Sequence, residues 1–199
     1  MSTLTPDNQL HLAPMGATIL PEDLDVRGRP RANWHWLVLR PFQTAQTYRN
    51  LRHHPEGVFH MTDDVLLLAQ AAIGAVEPFP EVRPAHQVLG YVVQDVCRYY
   101  EFRIVEVDDR AERALLRAEV VACGRFRDFL GFNRACHAVL EAAILATRLH
   151  ILPYEQVRDE LRRLQPLVEK TGGPREHAAF QLICQHITKH SRASPVDNA

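Results

Sequence analysis

Along the first two thirds of the chain, apolar residues fall in short β-branched and aromatic runs separated by turn-forming residues. Beyond Gly131 they recur at helical spacing. Residues 10–13 form a short extended run that Pro14 ends, and Gly16 permits a turn after it. Residues 33–39, rich in Trp, Leu and Val, read as a strand stopped by Pro41, and residues 57–61 read as another. Residues 99–107 and 114–123 flank the turn signal Asp108-Asp109 and are expected to pair as a hairpin. Two short helices lie between these strands. One runs from about Thr44 to Leu51; the other carries Val65 to Ala69, with Thr62 or Asp63 as its N-cap. Pro78, Pro80 and Pro84 make residues 77–88 an irregular loop, long enough to act as a lid over a groove.

In the last third, Asn133 is placed to cap a helix running to about His150. A second helix starts near Tyr154, is expected to kink or shorten at Pro166, and ends at Thr171-Gly172-Gly173. Pro174 opens a third, through about His190, and the polar residues 191–199 read as a disordered tail. Strands followed by helices predict an α+β fold, with a strand-rich domain over 8–130 and a C-terminal helical segment over 131–190. A Rossmann or nucleoside-triphosphatase domain is disfavoured, because neither G-x-G-x-x-G nor a P-loop occurs.

Bulk chemistry narrows the function classes. The 199 residues are 46% hydrophobic and 24% charged with a formal net charge of -1, so nothing electrostatic favours nucleic acid or an anionic membrane as partner. The basic tract from Arg27 to Arg31 is short and reads as a solvated loop. No apolar stretch approaches the ~18 residues of a membrane span, and residues 1–6 lack the features of a signal peptide. Cys97, Cys123, Cys136 and Cys184 form no C-x-x-C pair, so reduced thiols in a cytoplasmic protein are expected. His186 and His190 have metal-ligand spacing but no third ligand nearby, and no metal site is assigned.

Three stretches carry chemistry. Between Arg40 and Leu51 a strand end meets a helix start. The planar cation of Arg40, the hydroxyls of Thr44 and Thr47 and the positive helix end together suit a phosphate dianion. The same residues also fit a salt bridge from Arg40 and a simple cap from Thr44. Ala13-Pro14-Met15-Gly16 offers backbone that a flat ligand can approach closely, or simply a strand-to-turn transition. On the helix after Gly131, Ala135, Val139, Ala142, Ala143 and Ala146 share a small-residue face suited to close packing within a protomer or across a dimer. Asn133, His137 and Glu141 share another stripe, fit for a polar network or for proton transfer. Cys136 is a reactive thiol only if Arg134 lowers its pKa.

Ala13-Pro14-Met15-Gly16, Arg40-Pro41-Phe42 with Thr47 to Leu51, Gly131 to Ala135 with His137-Ala138-Val139, and Val168 to Glu176 together resemble the family called domain of unknown function 447. The resemblance spans about Ala13 to His186. It implies a split β-barrel of the flavin-reductase and pyridoxamine-phosphate-oxidase kind, dimeric, with FMN in a groove between two barrels. In that setting Thr47 and Asn50 lie near the flavin phosphate and ribityl chain, Arg40 is the phosphate's cation, and the turn at Ala13, Pro14, Met15 and Gly16 lies near the isoalloxazine. Phe42, Thr44, Thr62, Asn133, Arg134 and His137 complete the candidate cofactor contacts. His11 stands where relatives often have asparagine, and Cys136 where they often have lysine. The expected function is FMN binding in a homodimer, with an FMN-dependent oxidoreductase of unknown substrate as the leading reading. A non-catalytic flavin-binding module, or a split-barrel dimer holding another planar ligand, is the alternative.

Overall fold

The computed structural model describes residues 1–191. The expected polar tail therefore lies, Ser191 apart, outside the described residues. Contacts divide the chain into two compact units, Met1–Thr62 with Pro80–Phe129, and Asp63–Phe79 with the chain from Leu130 onward.

The first unit holds strands β1 (Ser2–Leu4), β2 (Leu10–Leu12), β3 (Ala17–Thr18) and β4 (Trp36–Leu39), then helix α1 (Gln46–His53). It continues with β5 (Glu56–Met61), β6 (Val82–Pro84), β7 (Tyr91–Val93), β8 (Arg98–Asp108) and β9 (Leu115–Arg125). Seven strands make one curled antiparallel sheet in the order β2-β1-β5-β8-β9-β4-β3, while β6 and β7 form a separate hairpin. The expected β8–β9 hairpin is present; its register slips between Glu101 and Phe102 and again between Ile104 and Glu106. Such irregularities bend a strand and increase its twist, which helps a sheet curl.

Strand β1 is an element the residue pattern did not predict. Ser2 and Thr3 are too short and polar a signal, yet both are buried, because β1 pairs with β2 on one side and β5 on the other. Gly57 allows this approach: a Cβ there would meet the Ser2 carbonyl and the Phe102 ring at 2.9 Å. Leu37, Leu39, Leu51, Phe59, Tyr100, Phe102 and Leu116 form the core of this unit, with Trp34 stacked on Tyr100 at 4.3 Å between ring centroids.

The second unit packs α2 (Val65–Ala72), α3 (Arg134–Ala146), α4 (Tyr154–Thr171) and α5 (Pro174–Ser191) around one apolar cluster. Helix α2, which follows β5 in the chain, thus belongs with the helices. Its cap is Asp64, whose Oδ1 accepts from the Leu67 amide at 3.1 Å, rather than Thr62 or Asp63. Asn133 caps α3 as expected, accepting from the Ala135 amide at 2.8 Å. Pro166 lies inside α4 without ending it. Leu161, Leu164, Leu167 and Val168 pack against the cluster on both sides of the proline, so burial outweighs the lost backbone hydrogen bond. The alanine face of α3 is consumed here: Ala135, Ala138, Val139, Ala142, Ala143 and Ala146 are buried within this unit, which leaves that face no part in a dimer contact.

Candidate functional site

The end of β4 delivers Arg40 to the surface, where it makes no ion pair among the described residues, so the salt-bridge reading of this residue is not met. The loop after it is tied to the β8–β9 turn. Phe42 bridges Arg113, whose guanidinium lies 4.0 Å from the Phe42 ring centroid. The Gln43 amide donates to the Glu112 carbonyl, and the Gln43 Nε2 donates to the carbonyls of Asp109 and Ala111 at 2.6 and 2.7 Å. Helix α1 then begins at Gln46. Its N-cap is Ala45, and no side chain accepts from its first-turn amides. An uncapped helix start leaves N–H groups and the positive dipole end for an external acceptor. Thr47 lies in that first turn, only 3% exposed, and its hydroxyl has no hydrogen-bond partner among the described residues.

Strand register brings the Ala13 to Gly16 turn to the same place. Strand β3 runs antiparallel to β4 with Ala17 opposite Leu39, so the chain preceding Ala17 continues alongside Arg40. A Cβ added at Gly16 would meet nothing within 4 Å, so the turn faces open space. Ala13 is held by its amide to the Met1 carbonyl at 3.1 Å, and Met15 and Tyr48 pack against the same core. Arg40, the α1 start and the turn at residues 13–16 therefore share one end of β3 and β4. Phe42 is partly exposed beside them, and Thr44 is exposed with its carbonyl accepting from Arg49 Nη1 at 2.7 Å.

Asn50 differs from the other members of the group. It has no exposed surface; its Nδ2 donates to Thr3 Oγ1 at 2.9 Å and its Oδ1 accepts from Gln46 Nε2 at 2.7 Å. Thr3, Gln46 and Arg49 were not singled out from sequence. The spacing of Gln46, Arg49 and Asn50 at i, i+3 and i+4 was the available signal for two of them; nothing local pointed to Thr3. Thr62 follows β5, half-buried. Asn133, Arg134 and His137 belong to the second unit: Asn133 is spent on its cap, and Arg134 and His137 are exposed, the His137 ring lying 5.9 Å from that of Phe132.

The titratable groups are sorted by burial. His11, two residues before the turn, is half-buried, with Nδ1 enclosed and unpartnered; burial, then the nearby chain terminus, lowers its pKa. Cys136 runs against the reactive-thiol reading. Burial, reinforced by Glu176 at 3.4 Å, pushes its thiol up to about 11. The lid reading also fails over residues 82–89. There β6 pairs with β7, and Arg83 Nη2 donates to the Tyr99 hydroxyl at 2.8 Å. The fully buried Glu101 carboxylate accepts from the amides of His86 and Gln87, and Glu56 accepts from that of Leu89. Among the described residues no three His, Cys, Asp or Glu side chains are grouped to hold a metal, and no helix is long and apolar enough to cross a membrane.

Two family models match this chain. The model described as protein of unknown function (DUF447), N-terminal domain, matches residues 1–125, and its C-terminal companion matches residues 133–185. The chain belongs to the DUF447 family. Among solved structures, an FMN-bound DUF447 protein from Methanosarcina mazei superposes with a TM-score of 0.76 at 19% identity, covering 93% of this chain and 91% of that one. A flavoredoxin from Methanosarcina acetivorans gives a TM-score of 0.49 at 12% identity, over 65% of this chain and 68% of that one. An FMN-binding protein from Thermus thermophilus with bound 1-cyclohex-2-enone gives 0.48 at 14% identity, over 62% and 67%. No curated protein matches the chain in sequence. The α+β split-barrel fold with C-terminal helices is thus that of the DUF447 family.

Proposed function

We propose that this DUF447 protein binds FMN, as a homodimer, and uses it as a flavin-dependent oxidoreductase. The observation that carries the reading is that, among the described residues, Arg40 makes no ion pair and stands beside an uncapped helix start whose nearly buried Thr47 hydroxyl has no hydrogen-bond partner. A phosphate dianion satisfies all three groups at once. The neighbouring turn at residues 13–16 opens onto free space and offers backbone to a flat ring. Arg40, Thr44, Thr47 and the amides of α1 would hold the phosphate, Ala13, Pro14, Met15 and Gly16 would lie along the ring, and Phe42, Thr62, Asn133, Arg134 and His137 are the further contacts that the family resemblance implies. The homodimer rests on that resemblance as well.

Bound FMN supplies hydride or one-electron transfer at its ring system. The chain's part is to bind, orient and exclude water. His11 is the titratable side chain nearest in sequence to the ring turn; burial, then the nearby chain terminus, lowers its pKa and so disfavours the charged imidazolium. A non-catalytic flavin carrier is the second reading, favoured by the pinning of residues 82–89, which removes a moving cover.

The test is titration of flavin-free protein with FMN, followed by anaerobic reduction of the complex with NADH, NADPH or a reduced deazaflavin. Arg40→Ala is expected to weaken FMN roughly tenfold to a hundredfold, since a hydrogen bond to a charged group contributes about 1.5–3 kcal/mol and Arg40 is solvent-exposed. An unchanged affinity would remove Arg40 from the phosphate site. Failure of every donor to reduce the bound flavin faster than free FMN would leave the carrier reading.

A further inference from the structure

Asn50 cannot touch a ligand, because it is fully enclosed, yet it lies one turn beyond the free Thr47 hydroxyl. Its amide is the centre of a continuous chain of hydrogen bonds. Thr3 Oγ1 on β1 accepts from Asn50 Nδ2 at 2.9 Å. Asn50 Oδ1 accepts from Gln46 Nε2 at 2.7 Å, and Gln46 Oε1 accepts from Arg49 Nη2 at 2.8 Å. Arg49 Nη1 closes the chain on the Thr44 carbonyl at 2.7 Å, the residue just before the helix N-cap. Thr3 is itself 2% exposed and paired across to His11, in a strand flanked by β2 and β5. The sheet is thus linked, through Asn50, to both the first residue of α1 and the loop that precedes it. The helix start needs this outside support, because no capping side chain orders it.

We infer that the Thr3–Asn50–Gln46–Arg49 chain is a positioning device that sets the first turn of α1 for a phosphate monoester, and so makes the site selective for FMN over the unphosphorylated flavin. The inference rests on the FMN reading above. It gives Asn50 a role different from the ligand contact that the family resemblance implies: Asn50 acts through the amides of Gln46, Thr47 and Tyr48. A preorganised donor set outbinds a loose one because the ordering cost is met before the ligand arrives.

The experiment titrates flavin-free full-length protein with FMN and, separately, riboflavin, following flavin fluorescence. Three variants are compared with the parent: Thr3→Val, which removes the acceptor without changing shape; Thr3→Ser, which restores a hydroxyl; and Gln46→Ala, at a partly exposed position where folding is least at risk. The expected result is that Thr3→Val and Gln46→Ala each lower the FMN-over-riboflavin preference about tenfold while riboflavin affinity changes less than about twofold, and that Thr3→Ser recovers the parent ratio. Inorganic phosphate should compete with FMN in the parent and in Thr3→Ser, and lose that effect in the other two. Equal loss of both flavins, or a preference unchanged in Gln46→Ala, overturns the positioning role, and the Gln46→Ala result stands even if Thr3→Val does not fold. If the parent itself shows no preference for FMN, the phosphate site fails and the positioning role fails with it; a preference that survives the variants sinks only the latter.

Discussion

Asp23 is the buried clamp at the end of β4 away from Arg40, and its removal should strongly destabilise the first unit. The carboxylate is fully buried and accepts three hydrogen bonds: the His35 amide at 2.8 Å, the Trp36 amide at 2.9 Å and the His35 Nδ1 at 2.6 Å. Its own carbonyl accepts from Arg31, so the clamp holds the whole approach to β4. Burial alone would raise the Asp23 pKa, but the His35 side chain and the two amides outweigh it, and the carboxyl lies below its ordinary value. Each orphaned buried donor costs about 1–3 kcal/mol, reduced here because the exposed His35 ring can turn to water. Asp23→Ala should therefore cost about 3 kcal/mol, and Asp23→Asn about 1 kcal/mol, since one amide oxygen can still serve the two backbone donors. Urea unfolding at pH 7 reads these values as a shifted midpoint with an unchanged slope. The pH dependence has a definite sign. A carboxyl whose folded pKa is depressed contributes its stability above the unfolded value of about 3.9 and loses it as pH falls through the folded value. The parent should thus lose part of its advantage over Asp23→Asn below about pH 4. An Asp23→Ala protein within about 0.5 kcal/mol of the parent at pH 7 would refute the clamp.

Two further outcomes follow from the surroundings of the buried Glu101 and the half-buried Cys136. Glu101→Ala leaves the amides of His86 and Gln87 without an acceptor, and should speed hydrogen exchange at residues 85–90 by at least tenfold while exchange across β8 and β9 changes little; uniform acceleration would mean global destabilisation instead. Cys136, with its thiol raised to about 11, should alkylate about a hundredfold more slowly at pH 8 than an ordinary cysteine, as mass spectrometry after iodoacetamide treatment would show; labelling at the rate of a free thiol would contradict its burial.

Local pattern was enough for the elements whose stabilisation is itself local. The aromatic and β-branched run before the Asp108-Asp109 turn placed the β8–β9 hairpin, and Asn133 marked its helix start because a cap acts on amides two or three residues away. The motifs around Ala13 and Arg40 were legible for a similar reason: turn and helix-start chemistry is written in consecutive residues. Partnership between distant segments was decided by tertiary structure. Ser2 and Thr3 become a central strand because β2 and β5 flank them, and α4 continues through Pro166 because its leucines are buried against other helices. The end of the proline-rich segment became a hairpin strand, residues 82–84 paired with 91–93, and Glu101, on another strand, accepts from the amides of His86 and Gln87 in its turn. The division of labour between Thr47 and Asn50, three residues apart on one helix, is likewise invisible along the chain. A side chain's freedom to meet a ligand depends on what already occupies its hydrogen-bonding atoms, and for Asn50 that occupant is Thr3, forty-seven residues away.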